Sequence, residues 1–298
     1  MLTCVPRPLL RCPPIGCWQR GVTLIELVIT IAVGSVVVAF MAMFIVVPVT
    51  AYTAQTRRAQ LVDDAESALR FLGRDLRSSL PNSVRITTSG TVTALEFLAT
   101  IDGARYRDGG PLSNPALDLD FTTADGAFST TVPFTQLTLP WSSSSSYISI
   151  YNVGVPGANA YAMANVISPV GTTITVAAGG AANVNLITLN PAFQFAYGSP
   201  GKRLYLVSGP VSYLCDTAAG TVRRYSGYSI ANSQIASNAG LIAAGATAAL
   251  VAADVAACQF TYSSGTAQRN ALATLMLQFT NSGETVQLLH EVQIVNTP

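Results

Sequence analysis

Few residues in this 298-residue chain are of types that do chemistry, and their spacing narrows what they can do. His290 is the one histidine, so "HEVQI" cannot supply a two-histidine zinc motif. No G-x-S-x-G nucleophile elbow occurs, and "GSPGKR" (198–203) lacks the spacing and the Ser/Thr of a phosphate loop. Asp118 and Asp120 fall on one face of an expected strand, where a calcium ion would need such carboxylates; a solvated strand edge is the preferred reading. Cys12 and Cys17 have no downstream Cys/His set to complete a zinc site. The residues therefore point to no catalytic centre, no metal and no cofactor.

The remaining group is Glu26, in "QRGVTLIELVITIAVGSVV". A carboxylate in a lipid-facing helix costs about 2.5–3.5 kcal/mol at mid-bilayer, and less near the interface. The first turn of a helix tolerates an acid through the helix dipole. That explains how Glu26 survives there. A purpose follows if the chain is cut after Gly21. Val22 then carries a new α-amino cation, and Val22 and Glu26 stand at i,i+4 on one helix face. A neighbouring helix, shifted along its axis, would offer its amine to this carboxylate. Such a pair sets register between subunits, the best-attested use of a buried charge pair.

The element that carries Glu26 is apolar. Half of the residues are hydrophobic and 10% are charged. Residues 27–49 contain no charge and only Thr30 and Ser35 as polar interruptions. As a helix they reach about 35 Å, enough for the hydrocarbon of a bilayer. Arg7, Arg11 and Arg20 stand ahead of Gly21 with no acid among residues 1–21, which favours a cytoplasmic N-terminus and a periplasmic C-terminal part. A net charge of +1 argues against nucleic acid as a partner. Past the span, Leu61, Ala65, Ala68, Leu69, Leu72, Leu76 and Leu80 recur at three and four, one apolar stripe on a polar helix. Glu66 and Arg70 form an i,i+4 pair, and Pro81 supplies the stop. One helix over residues 22–80 is expected, with Gly34 and Pro48 as its weak points.

After Pro81 the period changes to two. "TVTALEFLA", "YISIYNV", "TTITVAA", "NLITLN", "RLYLVS" and "TVRRYSG" read as strands. The end reads as a hairpin: Leu275, Leu277 and Phe279 alternate, Asn281-Ser282-Gly283 turns, and Val286, Leu288, Val292 and Ile294 return. His290 reads as a packed core-side residue. The Ser142–146 run and residues 231–257 read as loops, with a short helix conceivable over 246–255. Cys4, Cys12 and Cys17 precede the span and read as leader residues. Cys215 and Cys258 follow it, either as two buried thiols or as a bridge, which an oxidising compartment favours. A bridge would add roughly 4 kcal/mol.

"RGVTLIELVIT", with a glycine before an apolar residue and a glutamate fifth after the cut, resembles the class III signal of type IV pilins and type II secretion pseudopilins. Val22 stands where that family usually has phenylalanine. The resemblance implies cleavage after Gly21 by a prepilin peptidase, N-methylation of Val22, and a role for Glu26 in subunit assembly. "RRAQLVDDAESALRFLGRDLRSSLPNSVRI", "ALEFLAT", "GARYRDG", "VSYLCD", "RRYSGY", "CQFTY" and "VQIVN" are similar, in this order, to the MshO family of minor pilins of the mannose-sensitive haemagglutinin (MSHA) pilus. The larger J-type pseudopilins are the near alternative, and a membrane-anchored periplasmic enzyme or binding module is the distant one. For the latter, Trp141, Tyr147, Tyr151 and Tyr161 would have to line a cleft.

The expected fold is α+β and type IV pilin-like: a long N-terminal helix, membrane-spanning in its first half, packed on an antiparallel sheet. The expected organisation is a cleaved leader at 1–21, the helix at 22–80 and a β-rich periplasmic domain at 81–298. The expected partners are prepilin peptidase, other major and minor pilin subunits, the inner-membrane assembly platform and the lipid bilayer.

Overall fold

The computed structural model describes residues 21–109, 116–180, 184–265 and 269–295. The leader expected at 1–21, with Cys4, Cys12 and Cys17, lies outside the described residues except for Gly21. The architecture is a long N-terminal helix followed by an antiparallel β domain, an α+β arrangement of the pilin type. The chain divides into two compact units at Gln55/Thr56.

Helix α1 spans Leu24–Arg77 and passes through Gly34 and Pro48 without interruption of its helical assignment. A proline removes one donor from the ladder, and the turns on either side keep theirs. Within the first unit α1 is exposed on every face. Its polar side chains are satisfied locally: Thr30, Ser35 and Thr50 each donate a hydroxyl to the carbonyl three residues back, at 2.8–2.9 Å.

In the second unit α1 shows the stripe its spacing foretells. Leu61, Ala65, Ala68, Leu69, Leu72 and Leu76 are buried, and Glu66 pairs with Arg70 on the outer face. Leu80 is buried too, but past the end of the helix. There the chain pairs with a strand, and Leu80 donates its amide to Leu98.

Thirteen strands follow among the described residues. The first group is β1 (Arg85–Ser89), β2 (Val92–Tyr106), β3 (Asp125–Val132), β4 (Trp141–Ser143), β5 (Tyr147–Ser149) and β6 (Thr173–Ala178). Next come β7 (Asn185–Phe193), β8 (Arg203–Asp216), β9 (Thr221–Ser226), the short helix α2 (Asn238–Ala243) and β10 (Thr247–Ala252). The last three are β11 (Val255–Ser263), β12 (Ala271–Asn281) and β13 (Glu284–Ile294). The large sheet runs β10-β9-β8-β2-β3-β7-β6-β4, with β1 on β2 and β5 on β8; β11-β12-β13 form a second sheet.

The stripe of α1 therefore meets two sheets, where the sequence led to one. Leu72 and Leu76 share a core with Leu95, Phe97 and Tyr213 of the large sheet and with Leu275, Leu277 and Phe279 of the small one. The reason lies in β2 and β8. Their register shifts twice, between Ala99 and Asp102. Leu95 and Phe97 face α1 before the shift, whereas Ala104 and Tyr106 face a separate core after it. A one-residue slip turns a strand over, so the far half of the large sheet builds its own interior.

Three contacts fix α1 on the sheets. Asp75 accepts hydrogen bonds from Tyr213 Oη and Arg224 Nε, both at 2.7 Å. His290 Nε2 would lie 2.9 Å from a Cβ at Gly73, so that glycine is what lets α1 and β13 approach. His290 is thus packed, as its strand position indicates. Third, the chain leaving α1 is sealed by Ser83, whose hydroxyl accepts from the Leu98 amide at 3.1 Å.

Several segments differ from their sequence reading. The serine run is ordered by side-chain bonds: Ser143 Oγ accepts from the amides of Ser145 and Ser146, and Trp141–Ser143 pairs with β6. The helix conceivable at 246–255 lies earlier, where Ser237 caps α2 by accepting from the Gly240 amide. Residues 247–252 form β10 instead, since an alanine-rich run takes the extended form when β9 offers a ladder. Asp118 and Asp120 are not on a strand. Asp120 accepts from Thr122 and Thr123 in a local turn, and Asp118 faces Arg107 at 3.8 Å. Among the described residues no group of three acids, histidines or cysteines is placed to hold a metal.

The hairpin β12–β13 closes on two residues, Ser282 and Gly283, both with positive φ, the geometry of a type I′ turn. Cys215 of β8 and Cys258 of β11 are joined by a disulfide across the two sheets, 43 residues apart in sequence. Replacing both cysteines by serine should cost about 4 kcal/mol by loop entropy. For a domain of this size that lowers Tm by about 8–16 °C. Thermal unfolding of the detergent-solubilised chain, followed by far-UV circular dichroism, reads this out. An unchanged Tm would show that the core joins the sheets without the bridge.

Candidate functional site

The N-terminus of α1 is the site the sequence singles out. Gly21, Val22 and Thr23 are not helical, and the helix begins at Leu24. Thr23 is the cap: its Oγ1 accepts the Glu26 amide at 3.2 Å, and its carbonyl accepts the Leu27 amide at 3.1 Å. "TLIE" is a Thr-x-x-Glu sequence, the signature of a capping box. This signal marks the helix start at Thr23, one residue after the Val22 that the spacing to Glu26 points to.

The cap changes the relation between those two residues. Val22 precedes it and so lies outside the helix. In the uncut chain Thr23 caps the first turn, so Val22 stands outside the helix that carries Glu26. Glu26 sits in that first turn, where the free amides of the helix favour an acid. Val22 and Glu26 are both exposed, as is the whole of α1 beyond them as far as Tyr52 apart from the cap bonds described.

This helix is long and apolar enough to cross a membrane, with a mean hydropathy of 2.6 over its most apolar 18 residues. It is the one such helix among the described residues. Its apolar surface is continuous around the axis, a pattern that suits lipid or a bundle of similar helices. The arrangement gives a helix terminus with a carboxylate in its first turn, preceded by a short non-helical segment containing a Gly-Val bond. Chemically it suits a peptidase that needs an accessible bond, and a partner that brings a cation to Glu26.

The aromatic residues weighed for a cleft do not form one together. Tyr147 and Tyr161 are buried in one core, while Trp141 and Tyr151 pack against another. Tyr161 is occupied further: the Arg85 guanidinium lies 3.6 Å from its ring centroid. Arg85 also holds Glu96, which is 1% exposed, through a 3.0 Å ion pair. Burial pushes the Glu96 carboxyl above its usual range, and the bonds from Arg85 partly offset this. Arg85 reaches the Ala231 and Asn232 carbonyls too, so this cluster ties the segment before α2 to β1 and β2.

The model of the prokaryotic N-terminal methylation motif matches residues 19–42. No curated protein and no solved structure gives a significant match to the chain. The match begins two residues before Gly21 and covers the cap, Glu26 and the first half of the apolar helix. The chain thus carries the type IV pilin and pseudopilin signal, which supports a structural subunit of that kind, processed by prepilin peptidase and assembled with other pilins.

Proposed function

We propose that this chain is a minor pilin that helps to initiate or assemble an MSHA-type type IV pilus. The observation that carries the reading is the methylation motif at the head of an apolar helix that continues into a β domain. The MSHA assignment draws on the resemblance of the later segments to the MshO family. Prepilin peptidase cuts after Gly21, and Val22 becomes the methylated first residue. The leader stays in the cytoplasm, and the apolar half of α1, about residues 27–49, holds the subunit in the inner membrane. The β domain lies in the periplasm until the assembly platform draws the subunit out.

Glu26 then pairs with the amine of a neighbouring subunit. Cleavage supports this even though Val22 lies outside the helix in the uncut chain. The new terminus is short and unhelical, so the cation can reach across to an adjacent helix. Gly34 and Pro48 are the positions where α1 can yield when it enters a filament, since each weakens the helix locally.

Mass spectrometry of the assembled protein should find N-methylated Val22 as its first residue; a chain that still begins at Met1 contradicts the processing. Glu26→Ala should leave membrane insertion intact and reduce incorporation into filaments at least tenfold, a difference of about 1.4 kcal/mol or more. Equal incorporation of the variant would remove the charge pairing. Deleting the gene should reduce surface pili while protein secretion continues. Normal piliation with lost secretion would assign the pseudopilin role instead.

A further inference from the structure

Within the second unit, two hollows lie along α1 opposite β10 and its continuation, the second also walled by Asn281 of β12, whose Nδ2 donates to Asp254 Oδ2 at 2.8 Å. The first is apolar, between Phe71 on α1 and Ala249, Leu250 and Val251 on β10. The second is acidic, lined by Asp63 and Asp64 on α1 and by Asp254 just past β10, with Arg57 at its side. Asp64 and Phe71 are separated by two helical turns, about 10 Å along the axis.

Three features of this groove belong together. β10 ends the large sheet and is paired on one side, by β9. Its sequence, "TAALVA", has none of the charges or prolines that usually guard an edge. Phe71 and Leu250 stand 43% and 57% exposed beside it. An open strand edge is satisfied by an extended backbone, and an apolar hollow next to it by one side chain of that backbone. Three carboxylates against one guanidinium leave the far end negative, so the complement is a cation.

We propose that this groove receives an extended segment of a different protein chain. The segment adds to β10 as a strand, seats an apolar side chain beside Phe71 and Leu250, and brings a lysine or arginine to Asp63, Asp64 and Asp254. A strand covers 10 Å in about three residues. Side chains alternate, so the basic residue lies two or four positions from the apolar one. The charge pair orients the segment and fixes its register, and the apolar anchor supplies most of the affinity. A second copy of this chain does not fit. Of the strands paired on one side among the described residues, β1, β4, β5, β10, β11 and β13, β1 alone contains a lysine or arginine, and that residue, Arg85, is already held by Glu96 and by the Ala231 and Asn232 carbonyls. The proposal depends neither on cleavage at Gly21 nor on the kind of filament.

The test uses the detergent-solubilised full-length chain and a fluorescent peptide of alternating valine and threonine with one arginine four positions from a central valine. Its counterpart has glutamate in place of the arginine. By anisotropy, the arginine peptide should bind roughly tenfold more tightly or better. Asp64→Arg, which leaves two carboxylates against two guanidiniums, should abolish that preference, and Phe71→Ser should weaken both peptides. Asp64 and Phe71 are exposed, and unchanged circular dichroism confirms that both variants fold. Equal affinity for the two peptides, or no binding up to millimolar concentration, overturns the proposal. Cross-linking of a Leu250→Cys variant only to a second copy of itself in cells overturns it as well.

Discussion

Two sheets that meet along a seam need a third wall, and the apolar stripe of α1 supplies it. Leu61, Ala65, Leu69, Leu72 and Leu76 reach into one core with residues from β2, β8 and β9 on one side and β12 and β13 on the other. Neither sheet covers its own inner face. Burying a leucine side chain is worth about 1.5–3 kcal/mol, so the stripe outweighs any single polar contact at the seam. The polar contacts have a different task. Asp75 binds Tyr213 and Arg224 through one carboxylate oxygen, which fixes the height of α1 over the large sheet. Gly73 lets β13 come close beneath the same turn. The disulfide joins the sheets at Cys215 and Cys258, both among the side chains of that core.

Legibility in the sequence followed the range of the forces involved. The stripe on α1, the strands around "ALEFLA" and "RLYLVS", and the closing hairpin were all visible as period, because each depends on neighbours within a few residues. The partition into two sheets was not visible. It depends on the bulges near Ala99–Asp102, where the register of β2 against β8 shifts, and nothing local in "LATID" marks them. β10 was missed for a related reason. An alanine-rich run has weak preferences of its own, so the ladder offered by β9 decided its conformation. The strand assumed for Asp118 and Asp120 failed because aspartate and threonine side chains bind nearby amides in turns, and that local alternative won. At the N-terminus the residues of the site could be named from sequence, while their geometry could not. The cap at Thr23 displaced Val22 from the helix that spacing alone had assigned to it.

That displacement bears on how one helix can serve two environments. The two halves of α1 bury their apolar surface differently. The second half has one stripe and one partner, the sheets beneath it. The first half is apolar around its whole circumference, so no single partner of the chain itself can cover it; lipid can, and so can a ring of similar helices. Moving between these surroundings requires that the helix carry its own polar satisfaction with it. Thr30, Ser35 and Thr50 do so by bonding to carbonyls one turn back. Thr23 does so for the first turn. A cut after Gly21 leaves Thr23 and Glu26 on the same product, so the cap survives processing and the new amine lies just beyond it. The carboxylate of Glu26 is then the one anionic group in the apolar half of the helix, within reach of whichever cation the next environment provides. A bilayer offers that cation only at its surface, whereas in the proposed filament a neighbour cut after Gly21 would offer it within the apolar interior. That proposed pairing would favour the packed bundle over the isolated span.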